Sequence, residues 1–486
     1  MIVHIPDEPH SLDSQLAVSE VERLIIRNVQ EGLLDYDPNG RIIPLLAALP
    51  PQPAGGDRWI LTLRSGVFFH DGNELEADDV VFTFKRLKNS PFDIQKGKIF
   101  EKLLDIRAID RHQVELITDG PCPNLCDLLT RPELFPLSAQ AVEKYGSHYG
   151  KVILVGTGPF FFQNWVKGKY ITLIKNKDYR NPALPYLNSI SFEFHHPVAS
   201  RIKSLRSLRA HIATGITPQA AVALEKDRRI HIYHRPGQNL VQIYLNSDRP
   251  PFDKKALRLA LVYGIDYGGL VNEVLGAYAL AAESCIPSWS WAHKKEYQPI
   301  EYNPERARLI LQTEGYDDQN PFRFTLLVNK DPFFLQQALY IKESLARIPI
   351  LADIKAVSKA ELFDSVYGRN GKSRDEFQAA LEDWEDLRYG RDPRQFTAEL
   401  YASSSSYNKT RLSDLVLDNI FEEIDRSPTL SAQQELYFAA ERRIMNSVPV
   451  VNLCFPHHIL AARTRVQNLQ VNLFNEIDFK EVWLLR

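Results

Sequence analysis

Apolar and polar positions along the chain follow two periods. Short runs dense in β-branched and aromatic residues read as strands, since such side chains fit a pleated, half-buried surface. They are RWILTLRSGVFF from Arg58, ITLIKN from Ile171, ISFEFHH from Ile190, IHIYHRP from Ile230, LVQIYLN from Leu240, FRFTLLVN from Phe322 and VPVVNLCF from Val448. Other segments carry helix-boundary chemistry. In SEVERLIIRNVQEGLL, Ser19 and Glu22 have capping-box spacing and Gly32 is the expected stop. In NPERARLILQTEGY, Asn303 caps, Pro304 takes the first helical position and Gly315 ends the helix. Ser431 with Gln434 repeats the capping box before ELYFAAERRIM, and Asp253 is the expected cap of KKALRLALVYGID. Long helices interspersed with apolar strands predict an α/β chain with sizeable sheets.

One stretch, FFHDGNELEADDVVFTFKRL at residues 68–87, gathers a histidine and five carboxylates and looks catalytic. Its physics favours shape. Asp71-Gly72 is a tight-turn pair because glycine accepts positive φ. Asp78 or Asp79 then meets the free amides at the start of a helix containing Val80, Val81, Phe82 and Phe84. Glu74 and Glu76 are expected in an exposed connection.

Length and charge narrow the classes. At 486 residues the chain accommodates two or three domains of roughly 150 residues. An apolar fraction of 44% and a charged fraction of 24% are ordinary for a globular protein, and a net charge of −3 gives no reason to expect nucleic acid. No stretch approaches the roughly 20 apolar residues of a membrane span, and MIVHIPDEPHSLDSQLA has neither a basic nor an apolar leader region. The expectation is a cytosolic chain, or one whose leader is not included. Cys122, Cys126, Cys285 and Cys454 do not make a disulfide scaffold in a chain of this length. Cys122 and Cys126 have a spacing compatible with pairing or metal binding, and isolated thiols are the simpler reading.

Catalytic signatures are missing: there is no G-x-S-x-G elbow, no H-E-x-x-H and no dinucleotide fingerprint. GRNGKS at 368–373 has Val366 where a phosphate loop needs its first glycine. His195-His196 and His457-His458 are adjacent pairs whose members point to opposite faces of a strand, so neither is a ready bidentate metal site. The unusual constellation is LEDWEDLRYGRDP at 381–393, which sets Glu382, Asp383, Glu385 and Asp386 around Trp384, with Arg388, Arg391 and Asp392 behind. Composition supports equally a solvated acidic turn anchored by the indole and a cleft wall where a carboxylate meets a ligand cation.

The order of motifs resembles the extracellular solute-binding proteins of peptide ABC transporters, the oligopeptide- and dipeptide-binding family 5. The likeness runs through EPHSLDSQLA, NVQEGLLDYDPNGRIIPLLA, the 68–87 block, GTGPFFFQNW, KNKDYRNPALPYLNSISFEF, YLNSDRPPFDKKALRLALVYGIDYGGLVNEVLGAYA, YNPERARLILQTEGY and VPVVNLCF. It implies a two-lobed, periplasmic-binding-protein-like α/β fold (type II, cluster C) with an extra β-rich subdomain. Lobe I is expected over 1–30, 155–238 and 450–486, with an inserted subdomain over 31–154 and lobe II over 239–449. RPGQNLVQIYLN and NSVPVVNLCF are the expected crossings between the lobes, which in this family close around a ligand.

The resemblance implies a substrate-binding subunit of an ABC importer that captures an oligopeptide or dipeptide in the cleft between its lobes. It implies permease subunits as partners, a monomer, a periplasmic or lipid-anchored location, and neither enzymatic activity, cofactor, metal nor nucleic acid. The alternatives are a ligand-sensing module of a cytosolic transcription regulator, or a family member for nickel chelate, haem or oligosaccharide. Implied ligand-binding residues are Trp384, Asp386, Asp383, Glu385, Glu31, Asn239, Gln242 and Tyr407. Members pair the ligand's amino group with an aspartate three residues after the tryptophan of a GW..D motif. Here that position is Leu387 and the glycine is Asp383, leaving Asp386 as first choice. The four carboxylates suggest a cationic ligand end or a basic ligand. His211 stands where the family's GEID has its aspartate.

Overall fold

The computed structural model describes residues 1–485 except 18, 38–39, 91–99, 101, 296–300, 369–376, 385–392 and 473–474. The chain divides into two compact units, with the divisions between Arg235 and Pro236 and between His457 and His458.

Two larger groups of paired strands lie among the described residues of the first unit. In one, Phe160–Val166, Tyr170–Lys175 and Ser189–Phe194 form an antiparallel meander. Ile2–Ile5 lies parallel to both Ser189–Phe194 and Ile212–Ala213, and the latter pairs antiparallel with the end of Val450–Arg463 through Ile212 and Ala462. Its core contains Val3, Ile5, Ile25, Phe160, Leu173, Phe192 and Phe479. The second sheet is antiparallel, in the order Gln52–Pro53, Arg58–Thr62, Gln113–Thr118, Leu103–Ala108. Helix Ala77–Asn89 covers it with Val80, Phe84 and Leu87, one helical stripe, packed into a core with Leu61, Val114 and Leu116.

The 68–87 block shapes this unit. Gly72 has φ 89° and its amide bonds the Phe69 carbonyl at 2.9 Å, so the Asp-Gly turn is present. The strand from Arg58 ends at Thr62, well short of that turn. The helix begins a few residues earlier than the acid pattern suggested: Glu76 is the N-cap and Asp79, at the third helical position, accepts from the Glu76 amide at 3.0 Å. Glu74 and Glu76 are half-buried, held by Arg111 at 2.7 and 2.9 Å, and are not in a free connection.

In the second unit the sheet runs Ile350–Val357, Phe322–Asn329, Ala379–Trp384, Leu240–Leu245, Val450–Arg463. The first three are parallel and the remaining neighbours antiparallel. Helices Lys255–Gly264 and Pro332–Leu345 bury Leu257, Leu261, Ala338, Ile341 and Leu345 against one face. Helices Leu415–Arg426 and Leu430–Ser447 bury Leu417, Phe421, Tyr437, Ala440 and Ile444 in a cluster with Tyr244 and Val450.

Helix boundaries follow the sequence where a cap has no competitor. Ser19 and Glu22 form the reciprocal box, and Asn303 accepts from the Arg306 amide at 2.9 Å ahead of Pro304. The first helix stops at Ile26 rather than near Gly32. A Cβ on Gly32 would lie 2.6 Å from the Leu34 carbonyl, so this glycine answers a close approach of backbone. Thr429, not Ser431, caps Leu430–Ser447, and Lys255–Gly264 starts from Lys254 without help from Asp253. Strands Ile350–Val357 and Ala379–Trp384 escaped the sequence pattern, and the second of these carries the acidic cluster.

Candidate functional site

The segment expected as an acidic turn begins as an interior strand. Ala379–Trp384 lies between Phe322–Asn329 and Leu240–Leu245, with Leu240 opposite Trp384, Val241 opposite Asp383 and Gln242 opposite Glu382. Alternation then sorts its side chains. Ala379 and Leu381 join the core of Val241 and Ile243, whereas Ala380 and Trp384 pack into clusters on the other face. Consecutive acids on such a strand cannot all surround one indole.

Trp384 is half-buried at the end of this strand, against Leu240, Phe396 and Phe455. The half-buried Tyr407 meets its ring edge-on at 5.4 Å. The indole Nε1 is buried with no hydrogen-bond partner among the described residues, as are the Tyr244 hydroxyl and Gln242 Oε1. Gln242 is fully buried and donates to the Tyr401 hydroxyl at 3.1 Å and to Asn452 Oδ1 at 2.5 Å.

Of the two described carboxylates beside the indole, Glu382 is buried against a cation and Asp383 is half-buried on a neutral donor. Glu382 Oε2 accepts from Lys409 Nζ at 2.6 Å, both side chains being buried. Asp383 accepts from the Asn239 amide at 3.2 Å, and its carboxyl is pushed upward by burial and then by the neighbouring Glu382. Glu385 and Asp386, with Arg388, Arg391 and Asp392, lie outside the described residues, as does nearly all of GRNGKS.

Residues 41–408 match the sequence model of the bacterial extracellular solute-binding proteins, family 5 Middle. The chain belongs to family 5 of these proteins. Among curated relatives, the glutathione-binding protein GsiB of Escherichia coli strain K12 is 27% identical over 376 residues, covering 76% of this chain and 72% of its own. Among solved structures, the periplasmic binding protein DppA of Helicobacter pylori, in complex with the peptide STSA, superposes with a TM-score of 0.79 at 23% identity. That match covers 100% of this chain and 98% of DppA. The oligopeptide-binding protein AppA of Bacillus subtilis, in complex with a nonapeptide, gives a TM-score of 0.78 at 21% identity, over 100% and 99%. The fold is thus the two-lobed fold of family 5, a family of solute-binding proteins.

Within this family 5 chain, the second unit brings together Trp384, Gln242 and Tyr407 on one side of the strand and pairs Asp383 with Asn239. Glu31 belongs to the first unit. Its buried carboxylate accepts from Thr157 Oγ1 and the Tyr179 hydroxyl, both at 2.9 Å, and from Arg180 Nη1 at 2.5 Å. These three donors satisfy the buried carboxylate from within its own unit.

His211, the departure from the family's aspartate, accepts the Ile2 amide on Nδ1 at 3.0 Å and so fixes the first strand. Burial, then the N-terminal ammonium, pushes its imidazole down to about 4. Of the paired histidines, His196 bonds Asp7 at 2.8 Å and His458 bonds Glu20 at 3.0 Å. His195 meets a partner that sequence distance concealed. His4, Glu193 and His195 place ligand-type atoms within 4.8 Å of one another. The two imidazoles stack at 3.9 Å with only 12° between planes, so no single ion lies in both ring planes. Lys409 is the residue that sequence reasoning missed. It sits in the polar loop SSSSYNKTR, where nothing in the local pattern marks a buried lysine.

Proposed function

We propose that this chain is the substrate-binding subunit of an ABC importer for short peptides, oligopeptide or dipeptide, acting as a monomer outside the cytoplasm and delivering its ligand to membrane permease subunits. The observation that carries the reading is Trp384, a half-buried indole at an interior strand end whose buried N–H has no partner among the described residues. A broad apolar face beside an unsatisfied donor suits an extended peptide, whose side chain lies on the ring and whose carbonyl accepts the hydrogen bond. The names of similar proteins agree: GsiB is called glutathione-binding, and DppA and AppA were solved with peptides bound.

In this reading the ligand's ammonium meets a carboxylate following Trp384, Asp386 being the first choice. The direct test is mass spectrometry of the ligand released by denaturing natively purified protein. A peptide is expected; release of a nickel chelate, haem or oligosaccharide overturns the reading. The amino-terminal contact is tested by comparing a free with an acetylated peptide. The acetylated form should bind weakly, and Asp386→Asn should lower affinity for the free form by about 2–5 kcal/mol, the cost of leaving a buried charge unpaired.

A further inference from the structure

Lys409 is 4% exposed, and its Nζ stands 4.3 Å from the ring centroid of Tyr244, 5.4 Å from that of Tyr367 and 5.6 Å from that of Trp384. Glu382 completes the enclosure at 2.6 Å. Three aromatic faces around an ammonium, with one carboxylate, are the elements with which proteins recognise alkylammonium ligands. Here the cation belongs to the chain. Burial opposes its charge, but Tyr244 and Glu382 hold it above the usual lysine range. Glu382, Trp384 and Tyr244 reach one face of the sheet because the first two are two residues apart on one strand and the third lies on the neighbouring strand, opposite Ala380.

We propose that Tyr244, Tyr367, Trp384 and Glu382 form a cation box that the chain fills with its own Lys409, which closes the Trp384 wall to ligand cations and leaves it to uncharged or acidic groups. The inference deepens the peptide reading and rests on it for the ligand, but not for the box. The charges support it. Glu382 and Lys409 neutralise each other from within, and Asp383 lies on the opposite face of the strand, bonded to the Asn239 amide. Among the described residues, the box's own unpaired polar atoms, Trp384 Nε1 and the Tyr244 hydroxyl, are a donor and a donor-acceptor, which suit a carbonyl or carboxylate. The suggestion of a basic ligand rested on four acids around Trp384, and one of them, Glu382, is spent on Lys409, so the pair beside the indole on this face carries no net charge.

The test has two arms. In the first, without peptide, Lys409→Ala is assayed for thermal stability with n-propylammonium chloride or with n-propanol. The ammonium is expected to restore most of the lost midpoint and the alcohol little. Equal rescue by the alcohol would show that only the lysine's bulk matters and overturns the box. Glu382→Gln/Lys409→Met, which leaves no buried charge, guards against a single variant that does not fold; it should fold and show no rescue by the amine. In the second arm, calorimetry compares the tripeptides Ala-Glu-Ala, Ala-Ala-Ala and Ala-Lys-Ala, which share both termini. The parent protein should bind the lysine peptide at least tenfold more weakly than the others. Lys409→Arg should keep that preference and the double variant should lose it. A parent protein that binds the lysine peptide as well as the others overturns the selectivity. Failure of every tripeptide to bind overturns the peptide reading instead, and the amine arm still decides the box.

Discussion

His70 and Gly158 are 88 positions apart, yet the imidazole Nε2 bonds the Gly158 carbonyl at 2.9 Å. Its Nδ1 accepts the Gly156 amide at 3.3 Å, so the ring is neutral with its proton on Nε2. The histidine that made the 68–87 block look catalytic is a strut within the first unit.

Burial pushes His70 down to about 4. Between its unfolded value near 6.5 and that value, the unfolded chain binds the proton and the folded chain does not. The contribution is therefore complete above pH 6.5 and is lost as pH falls towards 4. It amounts to at most about 2 kcal/mol by pH 5. His4 and His211, also at about 4, act in the same direction. Urea unfolding at pH 7.5 and 5 should show a smaller pH dependence for His70→Asn than for the parent, and equal slopes would remove this histidine from the account.

Glu441 works with the opposite sign. Fully buried, with Oε1 accepting from Ser284 and Oε2 unpartnered among the described residues, its carboxyl is raised to about 7 by burial. The folded state then holds a proton that the unfolded state has released, so the contribution is complete below the ordinary carboxylate value and is lost as pH rises through 7. Glu441→Gln should match the parent near pH 5 and exceed its stability at pH 8 by about 1–3 kcal/mol. Lower stability at both pH values would show that Glu441 is needed in its charged form.

The Glu31 carboxylate is predicted to serve stability first. Arg180→Met leaves it buried with two neutral donors and should cost about 3 kcal/mol, whereas Glu31→Gln/Arg180→Met should recover much of that loss. Thermal denaturation of the two variants decides between this and a ligand role. Ligand affinity that collapses in Glu31→Gln while the midpoint stays unchanged would return Glu31 to the ligand.

Trp384→Ala removes the apolar wall of the proposed peptide site, and affinity for the peptide recovered from the native protein should fall by roughly 1.5–3 kcal/mol. Trp384→Phe retains most of the area but not the N–H, so it should lose less. Calorimetry that finds both variants binding like the parent would place the ligand away from this residue.

The sequence by itself determined the α/β class, seven of the strands, the capping box at Ser19, the N-cap at Asn303, and membership of the family, because these depend on period, on local hydrogen bonds and on motif order. Tertiary structure decided which charges are free. Glu382 and Asp383 look alike in a string of acids, but strand alternation turns them to opposite faces, one to Lys409 and the other to Asn239. A buried lysine 27 positions away, an imidazole against Gly158 and a second imidazole stacked on His4 are long-range pairings with no local signature. Local pattern records what a residue prefers; only packing fixes which partner meets its polar atoms, and that partner decides whether an acid faces a ligand or its own chain.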